Sequence, residues 1–129
     1  MTDAAENQAE AAEWAEARND WRAQADEALT SLWEKARDAS SGDLARNDIY
    51  APVHDLAGLA PVFEYHLVGQ MARALMERLR CGPDVLDDNA LLVTKTYLTA
   101  LDAVHKRDVR GEPDRDGEAL LAKLASIGG

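Results

Sequence analysis

Proline and glycine, the residues that interrupt helices most strongly, are confined to a few short places in this chain of 129 residues. The long segments between them repeat apolar residues at helical spacing and show no strand-like alternation. Helices of this length with short connections favour side-by-side packing in alternating directions. We therefore predict an all-α fold: an antiparallel up-and-down four-helix bundle with additional short helical segments.

The length is that of a single domain, which we place at residues 9–127 after a frayed N-terminus at residues 1–8. The first helix is predicted over residues 9–39, where a stripe of apolar residues should face the core. Its members are Trp14, Trp21, Ala25, Ala28, Leu29, Leu32 and Ala36. Trp33 lies beside this stripe and is expected to pack.

The second helix should begin after Asp43, a plausible N-cap, and end near residues 60–62. Pro52 leaves two arrangements open, because an interior proline removes a helical hydrogen bond. Either the helix is continuous and kinked, or residues 44–50 form a separate turn and Pro52 lies in the first turn of the next helix.

A bend at residues 61–64 should lead into the third helix, which ends where Gly82 and Pro83 follow Cys81. A fourth helix is predicted from Asp87 or Asp88 to about Val109. A short last helix is predicted over residues 114–127.

The charge balance narrows the possible partners. Lys and Arg total 14 against 24 Asp and Glu, a net charge of -10. Binding to a phosphate backbone needs clustered basic residues, so no nucleic acid partner is expected. No apolar run approaches the length of a membrane span, and the single cysteine, Cys81, fits a reducing compartment. We expect a cytoplasmic protein with no membrane association.

One histidine of the second helix should face outward. At helical spacing, His54 and Gly58 lie near each other on one side, opposite an apolar stripe. That stripe consists of Val53, Leu56, Ala60 and Phe63. The imidazole of His54 should therefore project from the bundle above a patch of bare backbone.

The segment from His54 to Val68 resembles the phosphoacceptor segment of histidine-containing phosphotransfer (Hpt) domains, most closely the small alphaproteobacterial forms. The family pattern is His-x-x-Lys-Gly, followed by small residues, Phe-Gly and an apolar helix. His54 matches the phosphorylated histidine, Gly58 the glycine and Phe63 the buried aromatic residue. Ala57 replaces the usual lysine, and Glu64 replaces the second glycine. The likeness covers residues 44–124.

The resemblance implies a histidine phosphotransfer protein of a two-component multistep phosphorelay, in which His54 carries a phosphoryl group to or from receiver-domain aspartates. The implied partners are response-regulator receiver domains, a hybrid histidine kinase, or both. Asp55, Ala57, Gly58 and Pro61 are expected at the contact. The receiver should supply Mg²⁺ and most of the electrostatics, so no cofactor, kinase activity or ATP site is expected on this chain.

Ala57 offers no charge where the lysine of the family helps to hold the phosphoryl group. Arg46, about two turns before His54, provides a cation only if the helix is continuous through Pro52. The alternative is a degenerate, Hpt-like interaction module that binds receivers or other partners, with His54 an exposed histidine without chemistry. We expect a monomer, although the alanine-rich face of the first helix leaves packing against a copy open.

The other two histidines are weaker candidates. His66 is expected to pack, partly buried, near the start of the third helix. His105 lies in a basic cluster with Lys106, Arg107 and Arg110, which suits a solvated helix C-terminus. No metal site is predicted, because the chain lacks Glu-x-x-His pairs and histidines at i,i+4 spacing.

Overall fold

The computed structural model describes residues 2–128, with side chains from residue 4 onward. It confirms the all-α class, because these residues form five α-helices, one 3₁₀ turn and no β-strand. The helices are α1 (Thr2–Arg37), α2 (Arg46–Leu59), α3 (His66–Arg80), α4 (Asp88–Lys106) and α5 (Arg115–Ala125), with the 3₁₀ turn at Pro61–Phe63.

Packing between the helices encloses one apolar core. Helix α2 packs on α3, α4 packs on both α1 and α3, α1 contacts α2, and α5 lies on α3. The largest fully buried apolar side chains come from α1 to α4 and from the α3–α4 connection; they include Leu29, Leu32, Ile49, Met71, Leu75, Leu86, Leu98 and Leu101. Within residues 2–128, no helix is long and apolar enough to cross a membrane.

Helix α1 is longer than predicted. It begins at Thr2 instead of Ala9, so residues 2–8 of the segment expected to fray are helical, and Met1 lies outside the described residues. At about 1.5 Å per residue, its 36 residues span about 54 Å. The other helices have at most 19 residues. The N-terminal part of α1 is therefore exposed, whereas the part from Trp21 to Ala36 contributes to the core.

Two tryptophans of α1 are more exposed than predicted. Trp14 was placed on the inward stripe, yet it is 47% exposed and contacts the ring of Phe63 at a centroid distance of 5.3 Å. Trp33 is also exposed. The inward stripe therefore begins at Trp21, which stacks on both Phe63 and Tyr65.

The start of α2 differs from the prediction. Its N-cap residue is Ala45, whose side chain cannot cap the helix. The amide of Arg46 instead donates to the carbonyl of Asp84 at 2.8 Å, which satisfies one of the free amides at a helix start. The prediction that Asp43 caps α2 is wrong, because its carboxylate accepts a hydrogen bond from the Ser40 amide at 2.8 Å.

Pro52 lies inside α2, so the continuous helix is the correct alternative and the separate turn is not. The proline deprives the carbonyl of Asp48 of its helical donor. Asp48 is exposed, so water can satisfy that carbonyl. Ile49 and Val53 are fully buried on the opposite face, and their packing holds the helix together through the proline.

The bend predicted at residues 61–64 is present. Pro61 begins the 3₁₀ turn, and Glu64 closes it with a left-handed φ of 72°. The carbonyl of Glu64 accepts a hydrogen bond from the Gly111 amide at 2.7 Å. The turn also rests directly on α3, since a Cβ added to Gly69 would lie 2.8 Å from Cγ of Pro61. This close approach fixes where α2 ends.

We expect Gly69→Ala to lower the free energy of unfolding by up to about 2 kcal/mol, because overpacking against Pro61 costs more than the gain in helix propensity. Gly58→Ala is the matched control. A Cβ at Gly58 meets nothing within 4 Å, so this variant should raise the free energy of unfolding by about 0.5 kcal/mol. Urea unfolding of both variants measures the difference; equal stabilisation by the two changes would contradict the close contact.

The last three helices begin and end close to the predicted positions. Asp87 caps α4 by accepting a hydrogen bond from the Ala90 amide at 2.8 Å, and Asp114 caps α5 in the same way. Helix α4 ends at Lys106, three residues before the predicted Val109. Asp108 adopts a left-handed φ of 55°, which the helix cannot continue through.

Candidate functional site

His54 lies on the outward face of α2. Its side chain is 62% exposed, and its Nδ1 lies 3.8 Å from Oδ1 of Asp55. One turn further on, Gly58 is exposed and the space where a Cβ would point is open. The imidazole is therefore accessible, with bare backbone beside it.

The other predicted contact residues differ in accessibility. Asp55 is 79% exposed and lies directly beside the imidazole. Ala57 is nearly buried, with 5% of its surface exposed. Pro61 is half-buried against α3. A partner that approaches His54 therefore meets Asp55 and Gly58 first, whereas Ala57 offers little surface for contact.

A depression of about 180 Å³ opens beside His54, between α2 and α3. Helix α2 lines it with His54, Ala57 and Gly58, and α3 with Arg73, Met76 and Glu77. Sequence reasoning missed Arg73, because only the packing of α3 against α2 brings it to the histidine. Helical spacing shows that Arg73 points away from the apolar face of α3, but it does not show which helix lies alongside.

Arg73 is the cation available to this depression. Arg80 is paired with Glu77, and Arg78 donates to the carbonyl of Ile127. Arg46 is not available as a cation for His54, although α2 is continuous. Its guanidinium donates to the Gly82 carbonyl at 3.2 Å and pairs with Asp84 at 3.1 Å. The cation that lines the depression beside His54 is therefore Arg73, not Arg46 as the sequence suggested.

Tyr50 is a second residue that sequence reasoning missed. It lies one turn before His54, and its half-buried ring stacks on the imidazole at a centroid distance of 6.2 Å and an interplanar angle of 29°. Aromatic residues at i and i+4 lie on the same helix face, which is the signal that would have found it. The ring of Tyr50 lies against one side of the imidazole and leaves most of it exposed.

His66 is half-buried at the start of α3, as predicted, and its Nδ1 lies 3.9 Å from Glu112. His105 contradicts the prediction of a solvated helix end, because it is fully buried. Its Nε2 lies 3.2 Å from the carbonyl of Arg22 and 3.1 Å from Oδ1 of Asp26, both on α1. His105 therefore joins α4 to α1.

The same end of the molecule holds a charged network. Arg22 pairs with Asp108 at 3.1 Å, donates to the His105 carbonyl at 3.0 Å and lies over the ring of Tyr65. The Tyr65 hydroxyl donates to Asp108, which lowers the pKa of that carboxyl. Burial raises the pKa of the Tyr65 hydroxyl. These bonds explain why the chain turns at Asp108 and ends α4 early.

We expect the free energy of unfolding to fall as the pH drops from 7 to 5, because burial, reinforced by the charge of Arg22, lowers the pKa of His105 below its usual 6.5. Asp26 and Asp102 oppose that shift only partly. The unfolded chain takes up the proton first, so acid favours unfolding by at most about 1.4 kcal/mol per pH unit. The free energy of unfolding, measured by urea titration at several pH values, should fall in this way for wild type and for His66→Gln but not for His105→Gln. A wild-type free energy that does not change with pH would contradict the role of His105.

Comparisons with family models, with curated proteins and with solved structures find no match to this chain. Function is therefore inferred from the residues around His54.

Proposed function

We propose that this chain is a histidine phosphotransfer protein of a two-component multistep phosphorelay, with His54 as the phosphoryl carrier. We also propose that α1 to α4 form an antiparallel up-and-down four-helix bundle. The contacts of α1 with α2 and α4, and of α3 with α2 and α4, support that arrangement. The bundle would hold α2 rigidly and present its outer face to a partner.

The observation that carries the proposal is the exposed imidazole of His54 in a depression that an open glycine and an arginine also line. A phosphoryl group on the imidazole needs space and a positive charge nearby. Gly58 supplies the space, since no side chain stands between it and solvent. Arg73 lines the same depression and supplies the charge that Ala57 lacks.

We infer that Nε2 is the reacting nitrogen, because Nδ1 is the ring nitrogen on the side of Asp55, 3.8 Å from its Oδ1. Nδ1 faces the Asp55 carboxylate, so the tautomer with its proton on Nδ1 leaves the Nε2 lone pair free. Nε2 attacks the phosphorus of an aspartyl phosphate; the Nε2–P bond forms, the bond from phosphorus to the aspartate oxygen breaks, and its electron pair leaves with the carboxylate. The proton stays on Nδ1, where Asp55 offsets the positive charge of the ring. The reverse reaction returns the phosphoryl group.

The surface around His54 suits a receiver domain. Leu59 at the end of α2 is 46% exposed and Val62 in the following 3₁₀ turn is 50% exposed, so apolar area lies where the helix that carries His54 ends. Such residues anchor protein contacts when water is excluded from them. The receiver would contribute its own Mg²⁺, and we propose no cofactor for this chain. A cytoplasmic location follows from the proposal, because that is where receiver domains act.

A second candidate is a degenerate interaction module that binds receivers or a hybrid histidine kinase without carrying phosphate. Ala57 favours it, because the position next to Gly58 holds no charge. In that case, His54→Ala should bind partners as tightly as wild type does.

The test is incubation of the purified chain with phosphorylated receiver domains and Mg²⁺, followed by measurement of acid-labile, base-stable phosphate. Transfer to the chain would support the phosphorelay function. No transfer from any receiver that binds detectably would overturn it in favour of the interaction module.

A further inference from the structure

The first turns of α1 form a helix without a partner. We call residues 4–13 the N-terminal arm; all of its side chains are exposed. The arm continues a helix that is already formed, so with every side chain exposed it is held only by the small free energy of helix propagation. A surface that covers the arm would therefore stabilise it.

The structure also contains an open apolar groove between α4 and α5, with a volume of about 470 Å³. Its walls include Ala100 and Ala103 of α4, and Leu120 and Leu124 of α5. Thr96 and Thr99 of α4 also line it, and their hydroxyls are already satisfied, because they donate to the carbonyls of Leu92 and Lys95 in their own helix. Exposed Leu92 continues the same face of α4 by one turn.

The charged residues of the α4–α5 groove are both lysines. Lys95 and Lys123 line it, in a chain that has only four lysines and a net charge of -10. Lys95 donates to the Ala39 carbonyl at 3.3 Å, and within the described part of the chain neither lysine has a carboxylate within 4.0 Å. The groove therefore favours an occupant that is acidic and has a narrow apolar face.

The N-terminal arm has this chemistry. Ala5, Ala9 and Ala12 lie on one face at helical spacing, and Glu6, Glu10 and Glu13 lie on the adjacent face. Its described residues carry three carboxylates and no basic group. Small alanine side chains allow the backbones of two helices to approach closely, which suits the alanine and threonine surface of α4.

We propose that this chain forms a symmetric dimer in which the N-terminal arm of each copy occupies the α4–α5 groove of the other. The lengths agree: ten residues of helix rise about 15 Å, close to the rise of about 17 Å from Leu92 to Ala103. Such an exchange is self-complementary and closes after two copies. His54 lies on α2, outside both the arm and the groove. This proposal departs from the monomer expected from the sequence.

The test reverses the charges on each side separately. Lys95→Glu/Lys123→Glu gives the groove variant, and Glu6→Lys/Glu10→Lys/Glu13→Lys gives the arm variant. Sedimentation velocity over a concentration series should show a dimer for wild type and at least a roughly tenfold weaker dimer for each variant alone, because like charges then meet in both contacts. Lys35→Glu/Arg107→Glu, which changes the same charge outside the groove, should dimerise as wild type does.

Mixing the two variants separates this contact from general misfolding. In the mixed dimer, the acidic arm meets the basic groove and the basic arm meets the acidic groove, so a dimer should return to near wild-type strength. The proposal is overturned if wild type stays monomeric at all concentrations, if neither variant weakens the dimer, or if the mixture does not restore it.

Discussion

His54→Gln is expected to lose all acid-labile phosphate after incubation with a phosphorylated receiver, with no change in fold. The imidazole is exposed and makes no core contact, so glutamine replaces it without a cavity or an unpaired buried group. Only the nucleophilic nitrogen is removed. The measurement compares radiolabelled phosphate on the wild type and the variant, together with urea unfolding curves.

His66→Gln is the matched control for this result. His66 lies at the start of the neighbouring helix and is half-buried, away from the depression beside His54. We expect it to label like wild type. Equal labelling of His54→Gln and wild type would show that another residue carries the phosphate and would contradict the proposed function.

Arg73→Gln should slow phosphoryl transfer to His54 by about tenfold to a hundredfold. A charged hydrogen bond contributes about 1.5–3 kcal/mol, and solvent at this exposed site reduces that contribution. Each factor of ten in rate corresponds to about 1.4 kcal/mol. Single-turnover transfer from one phosphorylated receiver measures the effect on rate separately from binding.

Two further variants distinguish a specific effect of the Arg73 guanidinium from the effect of losing any positive charge on α3. Arg80→Gln removes a guanidinium from the same helix, but that group pairs with Glu77, so transfer should stay near the wild-type rate. Arg73→Lys keeps a cation at the same position and should retain most of the wild-type rate. If Arg73→Gln and Arg80→Gln behave alike, Arg73 does not act on the phosphoryl group.

The sequence allowed the class and most helix boundaries to be predicted, because local signals determine them. Pro61, Gly82 and Asp87 interrupt or cap helices through their own backbone or side-chain chemistry. The outward face of His54 also followed from spacing within one helix. These features depend on residues within one or two turns of each other.

What could not be predicted depends on contacts between distant segments. Trp14 fits the apolar stripe of α1, but α1 is longer than the helices that pack on it. His105 lies in a basic cluster at the C-terminal end of α4, a pattern typical of a solvated helix end, but α1 packs over it and buries it. Arg73 stands 19 positions after His54 and reaches it only through the packing of α3 on α2. Spacing along one helix contains no information on these contacts.

Identification of the phosphorylated atom tests directly whether His54 carries the phosphoryl group. Long-range proton–nitrogen NMR of the chain, labelled with ¹⁵N and phosphorylated by a receiver, resolves both ring nitrogens of each histidine. We expect phosphorus on Nε2 of His54, with the proton on Nδ1 beside Asp55. Phosphorus on another histidine, on Nδ1 of His54, or on no histidine at all would contradict it.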